Sequence, residues 1–241
     1  MLTPRFLDSG ECALSVEFGG RIDPVADARV HDIDARLTAA APVAGLLETV
    51  PTYRSFMIHY DPLVLPRRDL VALVTGVLGA GVSEPGVPAH RWRLPVCYDP
   101  GLADDLPHIA RSTGLSPAMV TSLHAAASYR IAMFGFAPGW AYLSGLPAEM
   151  TLPRRSSPRD RIPAGSLVIA GGQAIVASVA MPSGWHILGR TPVRLFDPRR
   201  DPAFLVAPGD ELIFEPVDLP TFRSLEVRAQ AGESLIAGGK R

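Results

Sequence analysis

Four arginines, Arg154, Arg155, Arg159 and Arg161, fall within a run in which only Asp160 offsets the charge. A guanidinium stays charged at any physiological pH and presents a planar fork that suits carboxylate and phosphate oxygens, so the run is either a solvated face or an anion-binding loop. Its flanks favour the loop. FGFAPGW (residues 134–140) and IPAGS (162–166) set Pro, which fixes φ, beside Gly, which admits turns that other residues resist. Further along, AGGQ (170–173) and GWHILGRT (184–191) read as a recognition surface. There Gln173 offers an amide donor and acceptor, Arg190 and Thr191 suit a carboxylate, and Trp185 can stack on a flat amide or ring. The competing reading makes Trp185 a plug in a barrel and Arg190 half of a structural ion pair. His124 is a candidate proton carrier, because imidazole titrates near neutral pH, or else a packed or capping histidine.

Composition narrows the chemistry these residues can serve. A formal charge of −1 over 241 residues gives no global field for nucleic acid or an anionic membrane. The segment 106–126 resembles a helix-turn-helix, yet no Lys or Arg lies between Arg111 and Arg130, so DNA reading lacks its cations. The segment MLTPRFLDSG lacks a basic stretch followed by a long apolar run, and no stretch approaches a membrane span; a soluble cytoplasmic protein is expected. Lys240 is the only lysine, which excludes a Walker-type loop, a Ser-Ser-Lys amidase and an internal Schiff base. GAGVSE (79–84) lacks the last glycine of a dinucleotide loop, and GxSxG, HExxH and paired CxxC are absent. The six histidines lack metal-ligand spacing, so no metal ligand set is expected; Cys12 and Cys97 read as buried thiols.

The elements that must position these residues divide the chain in two. Residues 1–98 alternate as β-α-β-β-α-β, with HRWRLPVCY as the last strand, the split βαβ order of a ferredoxin-like α+β domain. Residues 99–128 form a helical connector, its second helix opened by Ser116 and Pro117 and its first closed by Gly114. From 129 to 220, short strands separated by Gly and Pro (YRIAMFGF, SLVIAGG, AIVASVA, VRLF, FLVAP, ELIFEPV) predict a barrel or sandwich. Residues 221–241 read as a flexible tail.

Several long motifs occur together in one order: VEFGGRIDP (16–24), PTYRSFMIHYDP (51–62), TGLSPAMVTSLH (113–124), YRIAMFGFAPGWAYL (129–143), GWHILGRTPVRLFDP (184–198) and PGDELIFEP (208–216). On these the chain resembles the family of 5-oxoprolinase B subunits, also labelled allophanate hydrolase subunit 1, KipI-like, or carboxyltransferase subdomains C and D. It departs from the family's pattern at Trp140, at QAIVAS (173–178) and at PSGW (182–185). The resemblance implies a cyclophilin-like barrel for residues 129–220. It also implies an ATP-dependent opening of 5-oxo-L-proline to L-glutamate, carried out with A and C subunits, activation falling to the A subunit. In that scheme Arg154, Arg155 or Arg159 neutralises phosphate or carboxylate, Gln173 reads the amide and His124 moves a proton. Two other roles fit the same resemblance: a urea carboxylase-type carboxyltransferase module acting on another small amide, and a KipI-like inhibitor of a sensor histidine kinase.

Overall fold

A computed structural model describes residues 3–39, 42–79, 90–236 and 239–240. Residues 80–84 of the GAGVSE run lie outside them. The chain is α+β and divides into two compact units, residues 1–87 and 88–241.

In the first unit four antiparallel strands, β1 (Arg5–Asp8), β2 (Ala13–Glu17), β3 (Leu46–Pro51) and β4 (Ser55–Tyr60), lie in the order β1-β2-β4-β3. Helices α1 (Pro24–Ala39) and α2 (Arg67–Gly79) complete it. In α1, Ala26, Val30, Ile33 and Leu37 recur at helical spacing and are all buried; in α2, Leu70 and Val74 do the same. They pack with Leu14 and Val16 of β2 and Phe56, Ile58 and Tyr60 of β4, the inward positions of alternating strands. The expected closing strand is not in this sheet. HRWRLPVCY forms β5 (His90–Val96), which pairs in parallel with β13 (Glu211–Pro216) in the second unit. The cause is core complementarity: Trp92, Leu94 and Val96 belong to one buried cluster with Leu212 and Phe214.

In the second unit α3 (Leu106–Thr113) and α4 (Pro117–Ala126) are joined where Gly114 adopts left-handed φ of 73° and Ser116 caps α4, its hydroxyl accepting from the Met119 amide at 3.2 Å. The main sheet uses β6 (Ser128–Phe134), β7 (Ala141–Ser144), β9 (Ser166–Ala170), β10 (Gln173–Val176), β12 (His186–Arg190) and β14 (Gly239–Lys240) with β5 and β13. Their order is β12-β9-β10-β7-β6-β13-β5-β14, and β8 (Arg159–Ile162) pairs separately with β11 (Met181–Ser183). An antiparallel bridge between Cys97 and Arg190 links the end of β5 to β12, so the sheet curls back on itself. VRLF and FLVAP are not strands; they meet only in a bridge between Phe196 and Phe204. Within the expected tail, residues through 230 form α5 (Leu219–Gln230), because Asp218 caps it and it buries Phe222 and Ala229. Cys97 is buried as expected, whereas Cys12 is exposed. Among the described residues no helix is long and apolar enough to cross a membrane.

Candidate functional site

The GFAPGW loop and the end of β11 build one cleft. Phe136, Trp140, Tyr142 of β7, Ile175 of β10, Arg154 and Trp185 line a cavity of about 170 Å³, small beside the ~300–1,000 Å³ of drug-sized pockets. Its walls are aromatic. The Tyr142 and Trp185 rings meet edge to face at 6.2 Å, and the Arg154 guanidinium lies 5.4 Å from the Trp185 ring centroid. Phe136 sets its ring edge against Trp140 at 5.5 Å; it is 72% exposed and adopts φ of 68°, a strained conformation for a residue with a Cβ. Trp140 Nε1 is buried and has no hydrogen-bond partner among the described residues. Burial raises the Tyr142 pKa, with Arg154 pulling the other way, so the phenol stays neutral. A flat aromatic wall and one cation suit a small planar molecule carrying an anionic group.

The arginine run does not act as one patch. Arg155 Nη1 donates to Asp105 at 2.7 Å, and Arg159 donates to both oxygens of the same carboxylate at 2.6 and 2.9 Å. Asp105 also accepts from the Ile187 amide at 2.8 Å and is 4% exposed. Burial alone would raise its pKa, but hydrogen bonds from Arg159 and Ile187 outweigh that and hold it below the ordinary carboxylate value. Arg155 and Arg159 are therefore committed to a buried carboxylate. Among the described residues Arg154 makes no ion pair, and of the three it alone lines the aromatic cleft. Asp105 was not foreseen, since its partners lie 50 and 54 residues away and nothing local marks it.

The other expected site residues scatter. Trp185 is in the cleft and 6% exposed. Gln173 opens β10 after the Gly171-Gly172 turn and is not among the cleft's lining residues. Arg190 donates to the Ala164 carbonyl at 3.0 Å and to Glu226 at 3.1 Å, over the Phe222 ring, so it is a structural ion pair. Thr191 is buried, its hydroxyl accepting from the Val193 amide at 3.2 Å. His124 is fully buried, bonded through Nδ1 to the Tyr98 hydroxyl at 2.8 Å and stacked on Phe214 at 4.9 Å. Burial lowers its pKa to about 3, so the imidazole is neutral and touches no cleft; it is a packed core residue in place of a proton carrier. Among the described residues no group of three or more His, Cys, Asp or Glu is placed to hold a metal.

Sequence and fold comparisons agree with this architecture. The carboxyltransferase domain, subdomain C and D, matches residues 4–206. A Bacillus subtilis (strain 168) protein named as the B subunit of 5-oxoprolinase is 32% identical over 219 residues, covering 85% of this chain and 89% of that one. The crystal structure of a protein named TTHA0988 is 34% identical with a TM-score of 0.74; the match covers 87% of this chain but 40% of that one, so this chain spans well under half its length. Kluyveromyces lactis urea amidolyase matches all of this chain and 16% of its own, with a TM-score of 0.79 at 17% identity, a likeness of fold alone. The chain belongs to the carboxyltransferase subdomain C and D family, whose members similar to it include 5-oxoprolinase B subunits.

Proposed function

We propose that this chain is the B subunit of an ATP-dependent 5-oxoprolinase, a cytoplasmic assembly with A and C subunits that opens 5-oxo-L-proline to L-glutamate. The carrying observation is the aromatic cleft with Arg154 on its wall. A five-membered lactam is small and flat, and its carboxylate is the anion such a cleft needs. The ring lies on Trp185 and the carboxylate pairs with Arg154. A lactam carbonyl resists water, and coupling to ATP makes it attackable. The only lysine is Lys240, so no lysine-bearing nucleotide loop is assigned here and ATP is a requirement of the complex. With its aromatic walls and few hydrogen-bonding groups, the cleft binds and orients; among the described residues no side chain lining it is placed as a general base.

Titration calorimetry of this chain co-expressed with its C companion tests the reading. Saturable 5-oxoproline binding that Trp185→Ala abolishes supports it. Urea binding in preference to 5-oxoproline replaces it with the urea carboxylase-type role, which the urea amidolyase fold makes the second reading. Binding of neither ligand sinks both.

A further inference from the structure

The segment from Val193 to Leu205 and the C-terminal end of α5 enclose a groove of about 320 Å³, within the ~300–1,000 Å³ of small-molecule sites. Arg194 lines both this groove and an adjoining cavity of about 130 Å³. We propose that the groove binds an aliphatic carboxylate, its carboxylate group on Arg194 and its chain along Val193, Leu205 and Leu235.

Charge selects the anion. The groove is lined by the guanidiniums of Arg194, Arg199 and Arg200 and the carboxylates of Asp197 and Glu233, and every one of these except Arg194 is committed elsewhere. Arg199 donates to both oxygens of Asp197, at 3.0 and 2.8 Å. Glu233 accepts from Arg228 at 2.8 Å, so its charge is matched outside the lining. Arg200 donates to the backbone carbonyls of Arg194, Leu195, Pro202 and Ala203 at 2.9 to 3.2 Å, which fixes its position but leaves its charge uncompensated. In the adjoining cavity Arg190 is paired with Glu226 at 3.1 Å. Arg194 comes no nearer to a carboxylate than 3.6 Å, at the Asp197 that Arg199 already holds, and its side chain is 42% exposed. Its planar fork is therefore free to take a carboxylate. Apolar walls select the chain. Val193 is buried, Leu205 and Leu235 are half-buried against the principal core, and Ala229 of α5 completes the wall. One free fork beside an apolar strip suits a flat monoanion with an alkyl chain better than a phosphate dianion, which asks for more donors. The groove shares no lining residue with the aromatic cleft, and its wall from Ala229 to Leu235 lies beyond the domain match at 4–206. It is thus independent of what the cleft binds.

Titration calorimetry of the full chain should show saturable hexanoate binding about tenfold or more tighter than acetate, because each buried methylene adds up to about fourfold. Hexanol keeps the chain and lacks the charge, and should bind about tenfold or more weakly than hexanoate. Arg194→Gln should weaken hexanoate binding about tenfold or more with an unchanged thermal melt, since Asp197 keeps its bonds from Arg199. Leu235→Ser should weaken it about threefold or more. Arg223→Gln, an exposed change on α5, should leave it unaltered. Hexanoate should also raise the melting temperature of the wild type and not that of Arg194→Gln. No saturation at tens of millimolar, equal affinity for acetate and hexanoate, tighter binding of hexyl phosphate than of hexanoate, or a loss in Arg223→Gln as large as in Arg194→Gln overturns the proposal. Unimpaired 5-oxoproline binding by the co-expressed complex alongside such a failure leaves the lactam reading standing.

Discussion

Arg154 and Arg155 are neighbours in sequence, yet Arg155 is paired with Asp105 while Arg154 makes no ion pair among the described residues, and substitution separates them. Arg154→Ala should weaken 5-oxoproline binding by about 1.5–3 kcal/mol, roughly 10- to 150-fold, without moving the melt. Arg155→Ala should do the reverse, because its guanidinium is spent on Asp105; calorimetry beside thermal melts reads both. Asp105→Asn leaves two guanidiniums facing a neutral amide and should cost about 2–3 kcal/mol, the low end for a broken buried pair, since both arginines are about a quarter exposed. The pH dependence follows from the depressed carboxyl pKa. A carboxylate of this kind contributes stability that is full above its unfolded pKa of about 3.9 and is lost as pH falls through the folded value. Chemical denaturation should therefore show the full gap between wild type and Asp105→Asn near neutrality and a shrinking gap below about pH 4. A gap constant down to pH 2 would mean that the carboxylate charge contributes nothing.

Local elements rest on a few positions where one atom decides the backbone. Ser116→Ala removes the acceptor that caps α4 and should cost about 1 kcal/mol in a denaturant melt. Gly165 holds φ of 79° where a Cβ would overlap the Thr191 carbonyl oxygen, so Gly165→Ala should cost about 2 kcal/mol or more. A loss under about 0.5 kcal/mol in either variant would contradict the geometry. Both positions were visible in the sequence, as were α1 and α2, because helical periodicity accumulates over ten or more residues. Strands of three to five residues such as β7, β8, β11 and β12 carry too little pattern to register. β5 was legible as a strand, yet alternation reports a buried face and not which sheet supplies the partner. The cleft was half legible: the aromatics and Gly-Pro turns of FGFAPGW announced it. The division of labour among the arginines was not, since only folding brings Asp105 to them.

Across the whole molecule the two cores share no residue: one cluster draws on positions 14–74 and the principal cluster of the other unit on 92–214. Every side chain of the aromatic cleft lies in residues 88–241. A unit of about 150 residues buries enough surface to fold alone, and this one carries its own helices, its curled sheet and the Asp105 clamp. A fragment of residues 88–241 should therefore melt in one cooperative transition. Circular dichroism melts of the purified fragment measure it. A fragment without a cooperative melt would show that the second core is not self-sufficient.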